Sequence, residues 1–354
     1  MSAMSFSPTL LVTTASVSPA QASKYVPLGR TSLQVSRIGV GTLQWGDPGS
    51  GFGTSYGEPE LSIAFQELLK GGINFIDTAE VYGYQGIKNG TSSEQLIGKF
   101  AKEHTEGAPI IATKFFTIPW TNFLVGGGLR IGRKSLLDAL RASLKRLGRK
   151  RVDLYQIHFP FPTLSNAALM ESLKEAVELG LTTAVGVSNY SKKQMEEADD
   201  LLASYGVPLA SNQVCFNLLQ RDPDKNGLLT SCKMYHIVSL FIAESSRIVA
   251  YKERNISLIA YSPLCSGRLT DKALLKIDSK SAKIKPLLEL MQKIGANHEG
   301  MSITQVALSY LIAKGAIPIP GCKNEYQAKS HCELMDQSLT MEEVQMLEEA
   351  ASYI

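Results

Sequence analysis

NFIDTAEVYG, residues 74–83, opens with two large apolar residues, Phe75 and Ile76, and then turns at once to an acid, Asp77. A tyrosine, Tyr82, follows five residues later. The first half reads as a buried strand; the second half reads as a loop that carries chemistry. The same grammar recurs along the chain. Val/Ile-rich runs appear as SRIGVGT from 36, INFIDTA from 73, PIIATKF from 109, VDLYQIHF from 152, TTAVGVSN from 182, LASNQVCF from 209, ISLIAYS from 256 and AIPIPG from 316. Most are near-continuous in apolar residues, as strands covered on both faces must be, so parallel pairing is favoured.

Amphipathic patterns lie between these runs: ELSIAFQELLKGG, KSLLDALRASLKRLG, LMESLKEAVELG, KKQMEEADDLLASYG and ITQVALSYLIAKG. Each ends on the glycine that terminates helices. Eight strands alternating with helices close most economically as a single-domain α/β fold, a (β/α)8 TIM barrel. The competing fold is an open doubly wound sheet. No GxGxxG follows the first strand, where a dinucleotide-binding open sheet would place it.

In a barrel the strand ends converge on one face, where active sites lie. The ends deliver Asp77, Lys114, His158, Ser188 with Asn189, Gln213, Tyr261 with Ser262, and Gly321 with Lys323. Tyrosine alone, near pKa 10, is a poor acid at neutral pH, and a neighbouring cation lowers that value. Lys114 is expected to supply the cation, and Asp77 to keep Lys114 charged against desolvation. A carbonyl oxygen held by Tyr82 and His158 is then set to take a proton from Tyr82 while a cofactor gives hydride to the carbon. Ser188, Asn189 and Gln213 suit a carboxamide such as that of nicotinamide, and Tyr261 suits stacking on its ring. Trp45, Phe116, Trp120, Phe159 and Phe161, all beyond strand ends, are expected to line an aromatic pocket suited to planar or apolar carbonyls.

These motifs together resemble the aldo-keto reductases from about Val26 to the C-terminus. IDTAEVYG, ATKF, YQIHFP, GVSNY, SNQVCFNLL, AYSPL and IPIPGCK stand in that family's order. The resemblance implies a tetrad of Asp77, Tyr82, Lys114 and His158, and NADPH bound in extended form without a Rossmann fold. It also assigns Ser262, Pro263, Leu264, Gly267 and Gly321 to the cofactor, with Lys323, Gln327 and His331 at its adenosine phosphate. A cation at Lys323 favours the 2′-phosphate of NADPH over NADH. SNYSKKQM, PLASNQV and LIAYSPL are most similar to the plastid branch that includes pyridoxal reductase-like proteins. Three departures stand out: an insertion of about twenty residues at about 228–249, a shortened loop after Lys272 with Asp271 at a usual glycine, and His331 at a usual asparagine.

The expected activity is therefore NADPH-dependent reduction of an aldehyde or ketone, with pyridoxal or other small aromatic or reactive carbonyls as substrates. The insertion and the short loop motivate a second reading: a cofactor-binding regulatory protein with little turnover, like the potassium-channel β subunits that share the fold. A net charge of +3 from 36 basic and 33 acidic residues is too small and dispersed to point to nucleic acid or a membrane surface. The one basic cluster, KRLGRKR at 145–151, closes a helix, where cations suit the dipole. Five cysteines without a CxxC pair fit free thiols in a reducing compartment, and five histidines without HxxxH spacing give no metal signature. No residue before Asp47 is acidic, and residues 1–23 hold nine Ser or Thr. That segment reads as a chloroplast transit peptide or a disordered extension, with a cytoplasmic protein as the alternative. Residues 24–354 are expected to form the barrel.

Overall fold

A computed structural model describes residues 23–104, 108–118, 121–125, 133–160, 164–232, 254–276 and 282–354. The N-terminal segment 1–22, Trp120, Phe161 and most of the insertion, 233–249, lie outside the described residues. A short antiparallel hairpin comes first, β1 (Tyr25–Pro27) and β2 (Gln34–Ser36). Eight parallel strands follow: β3 (Val40–Gly41), β4 (Phe75–Asp77), β5 (Ile110–Phe115), β6 (Val152–Ile157), β7 (Thr182–Ser188), β8 (Leu209–Cys215), β9 (Ser257–Tyr261) and β10 (Ile317–Pro318). Each pairs with its predecessor, and the ring closes where Gly39 N donates to Pro318 O and Gly41 N to Pro320 O, both at 2.9 Å. All eight expected strands are present. The hairpin is an element the sequence reading did not anticipate.

Two apolar layers follow from the two-residue period of a strand. One face of each strand packs outward on the helices, joining Ile76, Ile111, Tyr155 and Val185 to Phe65, Leu140 and Leu308. The other fills the barrel interior with Phe75, Ala112, Leu154, Ala184, Ala210 and Ile259. Leu28 and Val35 of the hairpin belong to this inner cluster and plug the N-terminal mouth. Gly29, at φ 58°, lies so close to β8 that a Cβ would stand 2.5 Å from Ala210 O. Any side chain at 29 would push the plug out.

The five helix ends predicted from glycine hold. Gly72, Gly148, Gly180, Gly206 and Gly315 all have positive φ after helices Glu58–Lys70, Lys134–Leu147, Asn166–Glu178, Lys192–Ser204 and Ile303–Ala313. In the basic cluster, Lys145 and Arg146 close their helix, and Arg146 Nε donates to buried Glu94 at 2.6 Å. The insertion starts in a short helix, Leu228–Cys232, and Ile256 N at the head of β9 donates to Cys232 O at 3.1 Å. The extra chain therefore leaves and returns at one point without stretching the ring. No helix among the described residues is long and apolar enough to cross a membrane.

Candidate active site

Strand parity places the polar groups. Phe75 faces the barrel interior, so Asp77, two residues on, does too; Ala112 does the same for Lys114 and Leu154 for Gln156. Lys114 Nζ lies 2.5 Å from Asp77 Oδ2, with both side chains almost wholly buried. The ammonium also donates to Thr78 O at 2.8 Å and to the Tyr82 hydroxyl at 3.4 Å. Burial alone would depress the Lys114 pKa, but the Asp77 carboxylate and the Tyr82 oxygen outweigh it and raise the value, so the lysine is charged.

The tyrosine departs from expectation. Burial raises the Tyr82 pKa, and the Lys114 charge opposes this without overcoming it. The phenol is therefore held protonated. The loop that carries it is fixed at both ends: Ser93 N donates to Tyr82 O at 3.1 Å, and buried Glu80 accepts from Phe116 N at 2.6 Å.

Asp77 has a second set of partners. Gln213 Nε2 donates to its Oδ1 at 2.7 Å and Gln156 Nε2 at 3.4 Å, while Ser211 Oγ donates to Gln156 Oε1 at 3.2 Å. The expected role of Gln213 at a carboxamide is thus joined by one toward the acid. Ser211 and Gln213 face inward because Ala210 is an extra residue on β8: Val185 pairs with Leu209, but Gly186 pairs with Ser211. Gly186 makes this layer fit, since a Cβ there would meet Ser211 Oγ at 2.3 Å. Gln156 was missed by sequence reading, although its place two residues before His158 gives it the same inward parity.

Ser188, Asn189 and Tyr261 come together on adjacent strand ends. Ser188 Oγ donates to Gln213 O at 2.8 Å, Asn189 Nδ2 donates to His158 O at 3.0 Å, and the Tyr261 hydroxyl donates to Asn189 Oδ1 at 2.9 Å. His158 is buried and held by rings: Phe159 stacks on it at 4.8 Å, while Phe116 at 5.2 Å and Tyr82 at 5.9 Å meet it edge to face. Its Nδ1 is buried without a partner among the described residues. Burial first, and then the Lys114 charge, push its pKa well below the ordinary value, so the imidazole is neutral.

Among the expected pocket aromatics, Phe116 is partly buried and Phe159 is 38% exposed beside His158. Trp45 is a correction. It is fully buried, edge-on to Phe65 and Phe100, and its Nε1 donates to Cys322 O at 2.8 Å, so among the described residues it belongs to the outer core.

Beyond Tyr261 the chain turns through Ser262, Pro263 and Leu264 to Gly267. Ser262, Cys265 and Ser266 have φ of 50°, 47° and 55°, a left-handed conformation that non-glycine residues adopt at a cost. Asp271 turns away from this segment and caps helix Ile303–Ala313, accepting from Ile303 N at 2.9 Å and Thr304 Oγ1 at 3.1 Å. The acid at the usual glycine position therefore anchors the short loop. Beyond exposed Gly321, Lys323 Nζ donates to Ser50 O at 3.0 Å and sits 4.8 Å from the Tyr56 ring centre, while Gln327 Oε1 accepts from Lys323 N at 2.8 Å.

His331 is the second correction. It is buried, its Nε2 lies 3.2 Å from Gly321 O, and burial lowers its pKa to about 4. It ties helix Glu325–Glu333 to the strand end, with its Nδ1 buried and without a partner among the described residues. As pH falls below about 6.5 the unfolded chain takes up this proton first, so stability is lost progressively until about pH 4. Removing the group with His331→Asn is expected to recover on the order of 2 kcal/mol of the acid-induced loss between pH 7 and 5, read from denaturant titrations. Identical losses in both proteins would refute the assignment.

The sequence matches the Aldo/keto reductase family over residues 37–352. It is 34% identical over 338 residues to the chloroplastic pyridoxal reductase of Arabidopsis thaliana, covering 90% of this chain and 84% of that protein. It is 29% identical to the L-glyceraldehyde 3-phosphate reductase of Escherichia coli, covering 68% of each. The fold matches the crystal structure of a thermostable aldo-keto reductase in complex with the inhibitor epalrestat, with a TM-score of 0.69 and 27% identity over 92% of this chain and 99% of that one.

Proposed function

The chain belongs to the aldo/keto reductase family, and from that membership we propose that it reduces an aldehyde or ketone to an alcohol, with Tyr82 as general acid and NADPH as reductant. One observation carries the reading: a single buried ammonium, Lys114 Nζ, lies 2.5 Å from the Asp77 carboxylate and 3.4 Å from the Tyr82 hydroxyl. Tyr82 gives its proton to the substrate oxygen, and Lys114 stabilises the negative charge growing on the phenol. Neutral His158 hydrogen-bonds the same oxygen and aims the carbonyl. Bound NADPH supplies the hydride that the carbon accepts.

The residues on this rim fit an extended dinucleotide. Ser188, Asn189 and Gln213 would meet the carboxamide, and the partly exposed ring of Tyr261 the nicotinamide. The exposed left-handed turn at Ser262 and Gly267, with Pro263, Leu264 and Gly321, offers backbone groups to a pyrophosphate. Lys323 and Gln327 would take the adenosine phosphate, and His331 is withdrawn from that set. Phe116 and Phe159 around His158, together with the likeness to a plant pyridoxal reductase, favour a planar aromatic aldehyde such as pyridoxal.

NADPH is expected to raise Tm and to bind about tenfold more tightly than NADH, as a charge-assisted contact at Lys323 requires. Pyridoxal and nitrobenzaldehyde are expected to drive NADPH oxidation faster than glyceraldehyde in absorbance assays at 340 nm. Tight NADPH binding with no turnover of any aldehyde would overturn the reductase reading.

A further inference from the structure

Two thiols stand on the rim that the proposed chemistry does not use. Cys215 ends β8 and is in register with Tyr261 on β9. Cys265 lies four residues beyond that tyrosine, in the left-handed turn. A shared acceptor locks the two segments together: Ser262 O receives Cys265 N at 3.0 Å and Asn217 Nδ2 at 3.0 Å, and Asn217 is two residues beyond Cys215. Both thiols are free and partly exposed. Half-burial first, and then the charge of Cys265, raise the Cys215 pKa. The Cys215 charge in turn raises that of Tyr261, after the larger effect of burial. The other neighbouring pair differs, because Cys322 is buried beneath the strand end with Cys332 behind it.

We propose that Cys215 and Cys265 form an oxidisable thiol pair at the mouth of the dinucleotide cradle, whose disulfide restrains the turn 262–267 and weakens cofactor binding. The effect on binding rests on the NADPH reading above; the cross-link itself does not. The co-reactant is a disulfide such as oxidised glutathione. One cysteine, as thiolate, attacks it, forming a mixed disulfide and releasing one glutathione thiolate. The other loses its proton to solvent and attacks the protein sulfur of the mixed disulfide, expelling the second. Two protein S–H bonds are replaced by one S–S bond, and oxidised glutathione is reduced to two molecules of glutathione. The Cys215 thiol gives up its hydrogen bond to Gln220 Oε1, now at 3.1 Å. The turn already holds three non-glycine residues at positive φ, so a second anchor leaves it little freedom to close around a guest.

The test uses the full chain, reduced and then exposed to excess oxidised glutathione. Intact mass is expected to fall by about 2 Da, and peptide mapping to place the cross-link at Cys215–Cys265. Cys215→Ser and Cys265→Ser are each expected to retain a glutathione adduct on the remaining thiol instead. NADPH affinity, followed by fluorescence, is expected to fall at least about tenfold in the oxidised wild type and to return with dithiothreitol, with no such fall in either variant. Bound NADPH is expected to slow the cross-link. Separate glutathione adducts on both cysteines of the wild type, or a cross-link mapped to Cys322–Cys332, would overturn the pair. A Cys215–Cys265 cross-link with unchanged NADPH affinity would overturn its effect on the cradle. Failure of the reduced protein to bind NADPH would count against the cofactor reading while the cross-link was still scored by mass.

Discussion

Tyr82→Phe is expected to lower kcat by about 10²–10⁴-fold, the range for removing a positioned general acid, while leaving NADPH affinity nearly unchanged. The substitution removes one oxygen from a loop fixed elsewhere, by Ser93 N on Tyr82 O and by Glu80 on Phe116 N. Lys114 keeps its contacts to Asp77 and Thr78 O, so the ammonium is not stranded. Stability is therefore expected to change by less than about 1 kcal/mol. The pH profile supplies an independent check. Burial holds the Tyr82 pKa above its ordinary value of 10.0, so reduction is expected to be independent of phenol ionisation throughout the neutral range. A rate that fell with an apparent pKa near 8 would contradict a donor held protonated, as would full activity in Tyr82→Phe.

The second large effect falls on the buried ion pair. Lys114→Met leaves the Asp77 carboxylate without its cation inside a closed ring, a loss of about 3–5 kcal/mol for breaking such a pair. Donation from Gln213 and Gln156 to Oδ1 moderates the penalty toward the lower end of that range. Activity is expected to fall by at least about 10²-fold, because the growing phenolate loses its counter-charge. The double variant Asp77→Asn/Lys114→Met separates the two consequences. With no stranded charge it is expected to regain most of the stability, measured by urea titration, and none of the activity. A double variant as unstable as the single one would show that the lysine acts by packing.

The fold and the inward placing of Asp77 and Lys114 were legible for one reason: strand parity sets which face a residue takes. Phe75 and Asp77, Ala112 and Lys114, and Leu154 and Gln156 share a face, so an apolar residue followed two places later by a polar one marks a strand end that brings a polar group inside the ring. What stayed hidden depended on contacts between distant segments. Trp45 follows a strand end like a pocket residue, yet the neighbours that bury it come from the first two outer helices and from Cys322. His331 occupies a position that resemblance assigns to a ligand, but its ring turns inward to Gly321 O. Asp271 departs from the usual glycine, and only the donors on helix Ile303–Ala313 show what holds it. The hairpin β1–β2 is too short to show a period, and only the barrel mouth that it fills defines it. The net direction of the Tyr82 pKa depends on burial and the Asp77 charge set against Lys114, a balance that distances and burial decide.

The amides behind Asp77 set a limit on how this molecule can be re-engineered. Its carboxylate takes hydrogen bonds from two strands, β6 and β8, and room for them depends on the missing side chain at Gly186 and the extra residue Ala210. Grafting Asp77, Tyr82, Lys114 and His158 onto another eight-stranded ring would not carry this arrangement with them, because the support of the acid is written in the shape of the ring itself.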